Sequence, residues 1–219
     1  MKCVFIEGNN FGKINLKESI LNKLPNRIGL VYPIQQRKFI AELNEFLEKG
    51  GKKVFLGKGN QKYEGQVLGC DVSSINTLLK EVDCFLFFGT GQFHPIAIAL
   101  KTTKSIFSLN PESGELSRGF HNEALKVKRQ MKGKYVKFLS ANNVGILVSI
   151  KPGQYNLNGL NFLKDKFPDK KYYTFIFDNL DVYQTENFPF IDIFVTLACP
   201  RIQEDSKDIV DISVIKDLS

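Results

Sequence analysis

The sequence contains no run of apolar residues that approaches the length of a membrane-spanning helix. A secretory signal is also missing, because the start Met1-Lys2-Cys3-Val4-Phe5-Ile6-Glu7 reaches an acidic residue too soon. We therefore expect a cytoplasmic protein with no membrane partner. Its four cysteines could form two disulfides in a secreted chain, but nothing in the sequence suggests export. Free thiols or metal ligands are the better interpretation of the cysteines.

Motifs of several common enzyme classes are missing as well. The glycine-rich segments Gly57-Lys58-Gly59 and Gly89-Thr90-Gly91 have neither the spacing of a P-loop nor that of a dinucleotide-binding loop. No pair of histidines has the spacing of a metalloprotease, and no Ser/His/Asp triad can be assigned. The sequence therefore gives no support to nucleotide hydrolysis.

Size and charge fit an ordinary soluble chain. It has 219 residues, of which 43% are hydrophobic and 24% charged, and this length allows one or two domains. The formal net charge of +7 favours an acidic partner. Basic residues are densest in 126–137, which contains six bases and no acid. A charge run on a helix is usually its solvated face, and no nucleic-acid-binding motif accompanies this one, so we do not expect nucleic acid as a partner.

Segments typical of strands and helices alternate along the chain. The run Ile28-Gly29-Leu30-Val31-Tyr32 predicts a strand, and the helix after it has its apolar residues on one face. A short helix capped by Ser73 or Ser74 is predicted next, followed by further strands over 84–88 and 105–109. A basic connecting helix is predicted from about Leu116 onward. This order is typical of a parallel α/β sheet.

The second half of the sequence repeats the pattern of the first. Val144-Gly145-Ile146-Leu147-Val148 resembles the first predicted strand, and Phe190-Ile191-Asp192-Ile193-Phe194-Val195 resembles Val82-Asp83-Cys84-Phe85-Leu86-Phe87. One insertion or deletion of about seven residues reconciles the two repeats. We predict an α/β fold with two homologous parallel-sheet α/β domains and flanking helices, comprising residues 1–115 and 116–219.

Two of the cysteines lie in loops that follow β-type segments, Gly65-Gln66-Val67-Leu68-Gly69-Cys70 and Leu197-Ala198-Cys199-Pro200-Arg201. Flanking glycines allow close backbone approach in the first loop, and Pro200 restricts the backbone in the second. In open parallel sheets, ligands bind beyond the carboxyl ends of the strands. The second loop and the segment 89–95 are expected at such ends. Loops of this kind can hold a thiolate in place.

These motifs, taken in order, resemble the archaeal-type diphthamide synthase family. The matching segments are Gly65–Cys70, Val82-Asp83 before a strand that ends in Phe93-His94-Pro95, Lys151 with Gly153-Gln154, and Ile191-Asp192 before Ala198-Cys199-Pro200-Arg201-Ile202. Members of this family are noncanonical radical S-adenosylmethionine enzymes with three homologous α/β domains. Each domain contributes one cysteine to a four-iron four-sulfur cluster. The resemblance covers nearly the whole chain but only the second and third domains, two thirds of a triplicated architecture, so the first domain is expected to be absent.

The resemblance also implies roles for individual residues. It places Cys70 and Cys199 at cluster-ligand positions, and it makes candidates for cofactor binding of His94, Lys151, Gln154 and Arg201. In the family, a 3-amino-3-carboxypropyl group passes from S-adenosylmethionine to a histidine of translation elongation factor 2. A partner chain would then supply the missing domain and the third cysteine, or the chain would assist a complete synthase. A homodimer is a further option.

Other interpretations stay open. Cys84 and Cys3 are expected to be core residues, although Cys3 could substitute for the missing ligand. His94 could be a turn residue, and Arg201 could simply be solvated. The chain could also be a noncatalytic relative that acts as a scaffold or accessory partner. It could instead be a small-molecule-binding module with zinc or no metal, or a fragment of a longer protein.

Overall fold

The computed structural model describes Val4, residues 6–8, Asn10 and residues 12–219. Cys3, one of the cysteines considered above, lies outside the described residues. The described chain divides into two compact units. The N-terminal unit ends at Lys126, and the C-terminal unit runs from Val127 to Ser219. Each unit has its own β-sheet.

The N-terminal unit contains a five-stranded sheet. Its strands are β1 (Arg27–Val31), β2 (Lys53–Phe55), β3 (Cys84–Phe88), β4 (Ser105–Leu109) and β5 (Leu116–Arg118). The spatial order is β2-β1-β3-β4-β5, and only β5 pairs antiparallel to its neighbour. The helices of this unit are α1 (Ile40–Lys49), α2 (Phe93–Ala99) and the 3-10 helices Glu18–Lys23, Ile34–Phe39 and Ser73–Leu78.

Strand β3 lies at the centre of this sheet, between β1 and β4, and all five of its residues are buried. A continuous apolar run suits a strand that is covered on both faces. Leu86 packs in the cluster that contains Leu43 of α1, whereas Phe87 packs in the cluster that contains Ile98 of α2. With both faces covered, the ends of the strands are the places where loops can carry ligands.

The C-terminal unit contains a four-stranded sheet in which every pair is parallel. Its strands are β6 (Asn143–Ser149), β7 (Lys171–Phe177), β8 (Ile193–Thr196) and β9 (Ile209–Asp211), in the spatial order β7-β6-β8-β9. Its helices are α4 (Asn158–Lys166), α5 (Ile212–Leu218) and the 3-10 helices Val182–Asn187 and Pro200–Glu204. Helix α3 (His121–Ser140) belongs to the N-terminal unit up to Lys126 and to the C-terminal unit from Val127.

Strands β2-β1-β3-β4 and β7-β6-β8-β9 follow the same spatial order, and the predicted α/β fold with parallel sheets and flanking helices is confirmed. A glycine occupies the same position in the first strand of each sheet, and a phenylalanine of the neighbouring strand covers it. A methyl group on Gly29 would lie 2.7 Å from the ring of Phe85. The same group on Gly145 would overlap the ring of Phe194. Glycine is therefore needed for close packing of the strands at both positions.

A pair of aspartates makes the repeat more specific. Asp83 Oδ2 accepts a hydrogen bond from the backbone N–H of Arg27, the first residue of β1, at 3.1 Å. Asp192 Oδ2 accepts the equivalent bond from Asn143, the first residue of β6, at 2.8 Å. Each carboxylate thus satisfies a backbone donor where the neighbouring strand begins.

The predicted connecting helix is present, but its predicted start near Leu116 was wrong. Residues 116–118 form β5, and α3 begins at His121. A tight turn reverses the chain before β5, with Gly114 at a φ of 66° and its N–H donating to Asn110 O at 2.9 Å. The chain therefore runs back along β4 before it can enter the helix.

Two further local predictions were also wrong. Asp71, rather than Ser73 or Ser74, accepts the backbone N–H at the start of the 3-10 helix Ser73–Leu78. Phe93-His94-Pro95 does not end a strand but forms the first turn of α2. Both segments contain residue types that favour the start of a helix. Sequence periodicity locates such a start only approximately.

Candidate functional site

The Cys70 loop of the N-terminal unit is held beside the end of β1. The backbone N–H of Tyr32 donates to Gly65 O at 3.0 Å, and the N–H of Val67 donates to Tyr32 O at 2.9 Å. Gly65 has a φ of 72° and fits closely against the carbonyl oxygen of Leu30. This segment therefore extends the sheet beyond the carboxyl end of β1 and carries the cysteine there.

Cys70 itself lies in a tight two-residue turn. Leu68 and Asp71 exchange backbone hydrogen bonds of 2.9 and 3.1 Å, so Gly69 and Cys70 form the centre of the turn. The Cys70 side chain is exposed. It is thus accessible to a ligand or a metal centre while its backbone is fixed.

Asp71 fixes the far side of this turn. Its carboxylate accepts hydrogen bonds from Ser73 N–H at 2.8 Å and from Gln61 Nε2 at 2.9 Å. Partial burial opposes ionisation, but the combined hydrogen bonds from Ser73 and Gln61 outweigh it, so the pKa of Asp71 is lowered. The ionised carboxylate therefore joins the turn to the helix that follows and to the preceding loop.

Phe93 covers the near side of the same turn. A methyl group on Gly69 would overlap the ring of Phe93, so the two residues are in direct contact. The ring of Phe93 meets that of His94 edge to face, with centroids 5.6 Å apart. His94 in turn stacks on Phe87 of β3 at 5.1 Å. The first turn of α2 is thereby packed between the core and the Cys70 turn.

Burial favours the neutral form of the His94 imidazole. Its side chain is partly buried against aromatic rings, and this burial lowers the pKa of His94. Stacking on Phe87 gives the ring a packing role. A neutral imidazole also keeps one acceptor nitrogen available.

The second predicted loop lies at the end of β8 in the C-terminal unit. Leu197 N–H still donates to Leu147 O at 2.9 Å, and the chain then leaves the sheet. Cys199 precedes the 3-10 helix Pro200–Glu204, and its carbonyl accepts Ile202 N–H at 3.1 Å. Its side chain is half-buried. Arg201 is exposed, with Nε 3.8 Å from Oε2 of Glu204.

A lysine that sequence reasoning assigned to a solvated face anchors this loop instead. Lys134 of α3 is half-buried, and its ammonium donates to the carbonyl oxygens of Gln203 and Ser206, the latter at 2.7 Å. Burial lowers the pKa of Lys134. The side chain of Gln203 accepts Asp211 N–H at 3.1 Å. The helix after Cys199 is therefore joined to α3 on one side and to β9 on the other.

Lys151 and Gln154 follow β6, the neighbour of β8. Lys151 Nζ donates to Asn179 Oδ1 at 2.6 Å, and Gln154 N–H donates to Lys151 O at 3.0 Å. Gly153, at a φ of 81°, allows this turn. Since β6 and β8 are parallel neighbours, this loop and the Cys199 loop leave the same edge of the sheet.

The three cysteines that the structure describes are of two kinds. Cys84 is fully buried in β3, where burial raises its pKa to about 12, so it is a core residue. Cys70 and Cys199 are accessible, one in each unit. Their loops are not equivalent in the repeat, because Cys70 follows β2 and Cys199 follows β8.

The chemistry of these two side chains fits an iron–sulfur centre in part. Cysteine thiolates are the usual protein ligands of such clusters. Within the described parts of either unit, however, no three His, Cys, Asp or Glu side chains are grouped as a metal site. Among its described residues, each unit thus offers one accessible cysteine thiol.

None of the helices in the described part of the chain is both long and apolar enough to cross a membrane. The fold and the loops together define a duplicated α/β protein whose cysteine-bearing loops lie beyond the carboxyl ends of parallel strands. Residues 1–209 match the model of the diphthamide synthesis protein family, and the chain belongs to that family.

Relatives of known structure or name agree with this assignment. The 2-(3-amino-3-carboxypropyl)histidine synthase of Pyrococcus horikoshii is 30% identical over 198 residues, which cover 87% of this chain and 55% of that protein. Subunit 1 of the same synthase from Encephalitozoon cuniculi is 24% identical, over 86% of this chain and 54% of that protein. The chain spans about half the length of the curated relatives it matches.

A solved structure shares the fold. The crystal structure of Dph2 from Pyrococcus horikoshii with a 4Fe-4S cluster superposes with a TM-score of 0.78 and 27% identity. The match covers 91% of this chain and 59% of that one. The α/β architecture with parallel sheets and flanking helices is therefore the family's architecture.

Proposed function

We propose that this chain forms part of an enzyme that transfers a 3-amino-3-carboxypropyl group from S-adenosylmethionine to a histidine of translation elongation factor 2. Family membership and the product in the relatives' name, 2-(3-amino-3-carboxypropyl)histidine, support this reaction. A translation factor as acceptor would place the chain in the cytoplasm.

The observation that carries the proposal is the pair of accessible cysteine loops. Cys70 and Cys199 would each provide one thiolate to a four-iron four-sulfur cluster of the kind present in the Pyrococcus horikoshii Dph2 crystal structure. A third thiolate would come from a domain outside this sequence, on the same or another polypeptide. Relatives that are named as numbered subunits support an assembly of several chains.

The remaining candidate residues would bind and orient the substrate. Once bound and reduced, a cluster would supply the electron that breaks a carbon–sulfur bond of S-adenosylmethionine. The exposed Arg201 would pair with the carboxylate of the methionyl group. Lys151 and Gln154 would contact the cofactor from the neighbouring loop. His94 would offer a neutral imidazole beside the Cys70 turn.

Anaerobic reconstitution tests this proposal. The wild type, Cys70→Ala, Cys199→Ala and the double variant are loaded with iron and sulfide, alone and with candidate partner chains. Iron content, visible spectra and electron paramagnetic spectra are recorded. Cys84→Ala is the matched control, because Cys84 is buried in β3 and should not bind iron. We expect iron uptake to rise with the partner and to fall in both loop variants.

Two results would oppose the proposal in different ways. Equal iron uptake by the wild type and the double variant would remove the cluster assignment. If transfer of labelled 3-amino-3-carboxypropyl groups to elongation factor 2 persists in the double variant, the chain acts as a scaffold for another synthase.

A further inference from the structure

One face of α3 combines exposed bases with exposed apolar side chains. Within the part of α3 that belongs to the C-terminal unit, an arc of about 100° contains five exposed residues at helical spacing. These residues, which we call the α3 stripe, are Lys128, Arg129, Lys132, Val136 and Leu139. Val136 is 64% exposed and Leu139 is 47% exposed. The adjacent face of the helix packs into the core through Met131, Tyr135 and Phe138.

The bases of the stripe differ from the other bases of the same helix. Lys134 binds backbone carbonyl oxygens, and Lys137 forms an ion pair of 2.6 Å with Asp208. Lys128, Arg129 and Lys132 form no ion pair, hydrogen bond or ring contact with any residue that the structure describes. The basic run of the sequence therefore separates into structural bases and a group that is free to bind something else.

Helix stability does not explain this arrangement. Lys128 and Lys132 are four positions apart on one face, a spacing at which like charges destabilise a helix. Helix α1 has the stabilising combination at that spacing, with Glu45 and Lys49 paired at 2.6 Å. The stripe also leaves Val136 and Leu139 in water one turn beyond the bases. A partner that covers the whole stripe would compensate for both features.

We propose that the α3 stripe is the docking surface for the protein substrate, through an acidic patch next to an apolar one. Carboxylates would pair with Lys128, Arg129 and Lys132, while apolar side chains would cover Val136 and Leu139. Nucleic acid fits less well, because phosphates would satisfy the bases but leave the apolar end without a partner. The identity of the substrate, translation elongation factor 2, rests on the proposed function. The expectation that this surface binds an acidic patch next to an apolar one does not rest on the proposed function.

The test measures binding of purified translation elongation factor 2 to the full chain, without iron or S-adenosylmethionine. The first variant is Lys128→Glu/Arg129→Glu/Lys132→Glu, and the second is Val136→Ala/Leu139→Ala. The matched control reverses three exposed lysines elsewhere in the C-terminal unit, Lys164→Glu/Lys171→Glu/Lys207→Glu, and changes the net charge equally. A single-stranded RNA serves as a second probe.

We expect the triple stripe variant to weaken binding about tenfold or more and the apolar variant to weaken it severalfold, while the control binds like the wild type. Binding by the wild type should also weaken as salt increases. Circular dichroism spectra of all variants should match, since every substitution is on the exposed face.

Several outcomes would overturn the proposal. They are no binding by the wild type, equal weakening by the stripe and control variants, and stripe variants that lose RNA binding but keep the factor. A chain–chain association that only the stripe variants lose would assign the face to a second copy instead. Because these measurements need no cluster, docking and the cluster assignment can fail separately.

Discussion

Gly69 packs its α-carbon against the ring of Phe93, and this contact sets the position of the Cys70 turn. Phe93 belongs to the first turn of α2, which is held against β3 by the stack of His94 on Phe87. The turn that presents Cys70 is therefore supported by the core of its own unit. A residue without a side chain is required at position 69.

Replacement of Gly69 should consequently disturb the turn. Gly69→Ala is expected to lower the free energy of unfolding by about 1–3 kcal/mol, because the new methyl group overlaps the Phe93 ring. Urea unfolding measures this loss. The control is Gly133→Ala in α3, where a methyl group meets no atom within 4 Å, and it should gain about 0.5–1 kcal/mol. Adding Phe93→Leu to Gly69→Ala should restore part of the lost stability. If it does not, the contact with the Phe93 ring is not the cause of the loss.

Lys134 provides the corresponding support for the Cys199 loop. Lys134→Met should lower the free energy of unfolding by about 1–3 kcal/mol, because the ammonium that binds the carbonyls of Gln203 and Ser206 is lost. It should also speed hydrogen exchange in the 3-10 helix after Cys199. Lys132→Met, on the exposed side of the same helix, should change stability by less than about 0.5 kcal/mol. Equal effects of the two substitutions would contradict an anchoring role.

Asp211 gives the fold a measurable dependence on pH. It is buried, and burial raises its pKa above the ordinary value even though it accepts hydrogen bonds from Ser213. A carboxyl whose folded pKa is raised destabilises the fold above that pKa, and the cost disappears as pH falls to the unfolded value near 3.8.

The free energy of unfolding of Asp211→Asn, relative to that of the wild type, should therefore be higher at pH 7 than at pH 4. The reason is that the amide keeps an acceptor for Ser213 but carries no charge. Urea unfolding of both proteins at the two pH values gives the comparison. A stability difference that stays constant between these values would show that Asp211 is not destabilised by burial of its charge.

The cysteines should differ in their reaction with iodoacetamide. In a Cys3→Ser background at pH 8, Cys70 and Cys199 should be alkylated in the native protein. Cys84 should react only after unfolding, because it is fully buried and its pKa is raised to about 12. Mass spectrometry of peptides over time measures the three rates. Rapid native labelling of Cys84 would mean that β3 opens far more readily than its packing indicates.

Much of the fold could be predicted from local patterns. The run 84–88 predicts a central strand because all of its residues are apolar, and this pattern is visible in the sequence alone. The glycines Gly29 and Gly145 and the aspartates Asp83 and Asp192 mark the repeat, since each pair performs one task in both sheets. The cysteine motifs likewise indicate the family from the sequence alone.

The sequence by itself thus determined the α/β class, the repeat and the identity of the accessible cysteine loops, because these follow from short-range periodicity and ordered motifs. Only the tertiary structure decided that Leu116 starts a strand, that Lys134 is an anchor and that Phe93 supports the Cys70 turn. Each of these depends on a partner distant in the chain. A lysine in a basic run has the same local pattern whether it faces water or carbonyl oxygens, so its role is settled only when the chain folds.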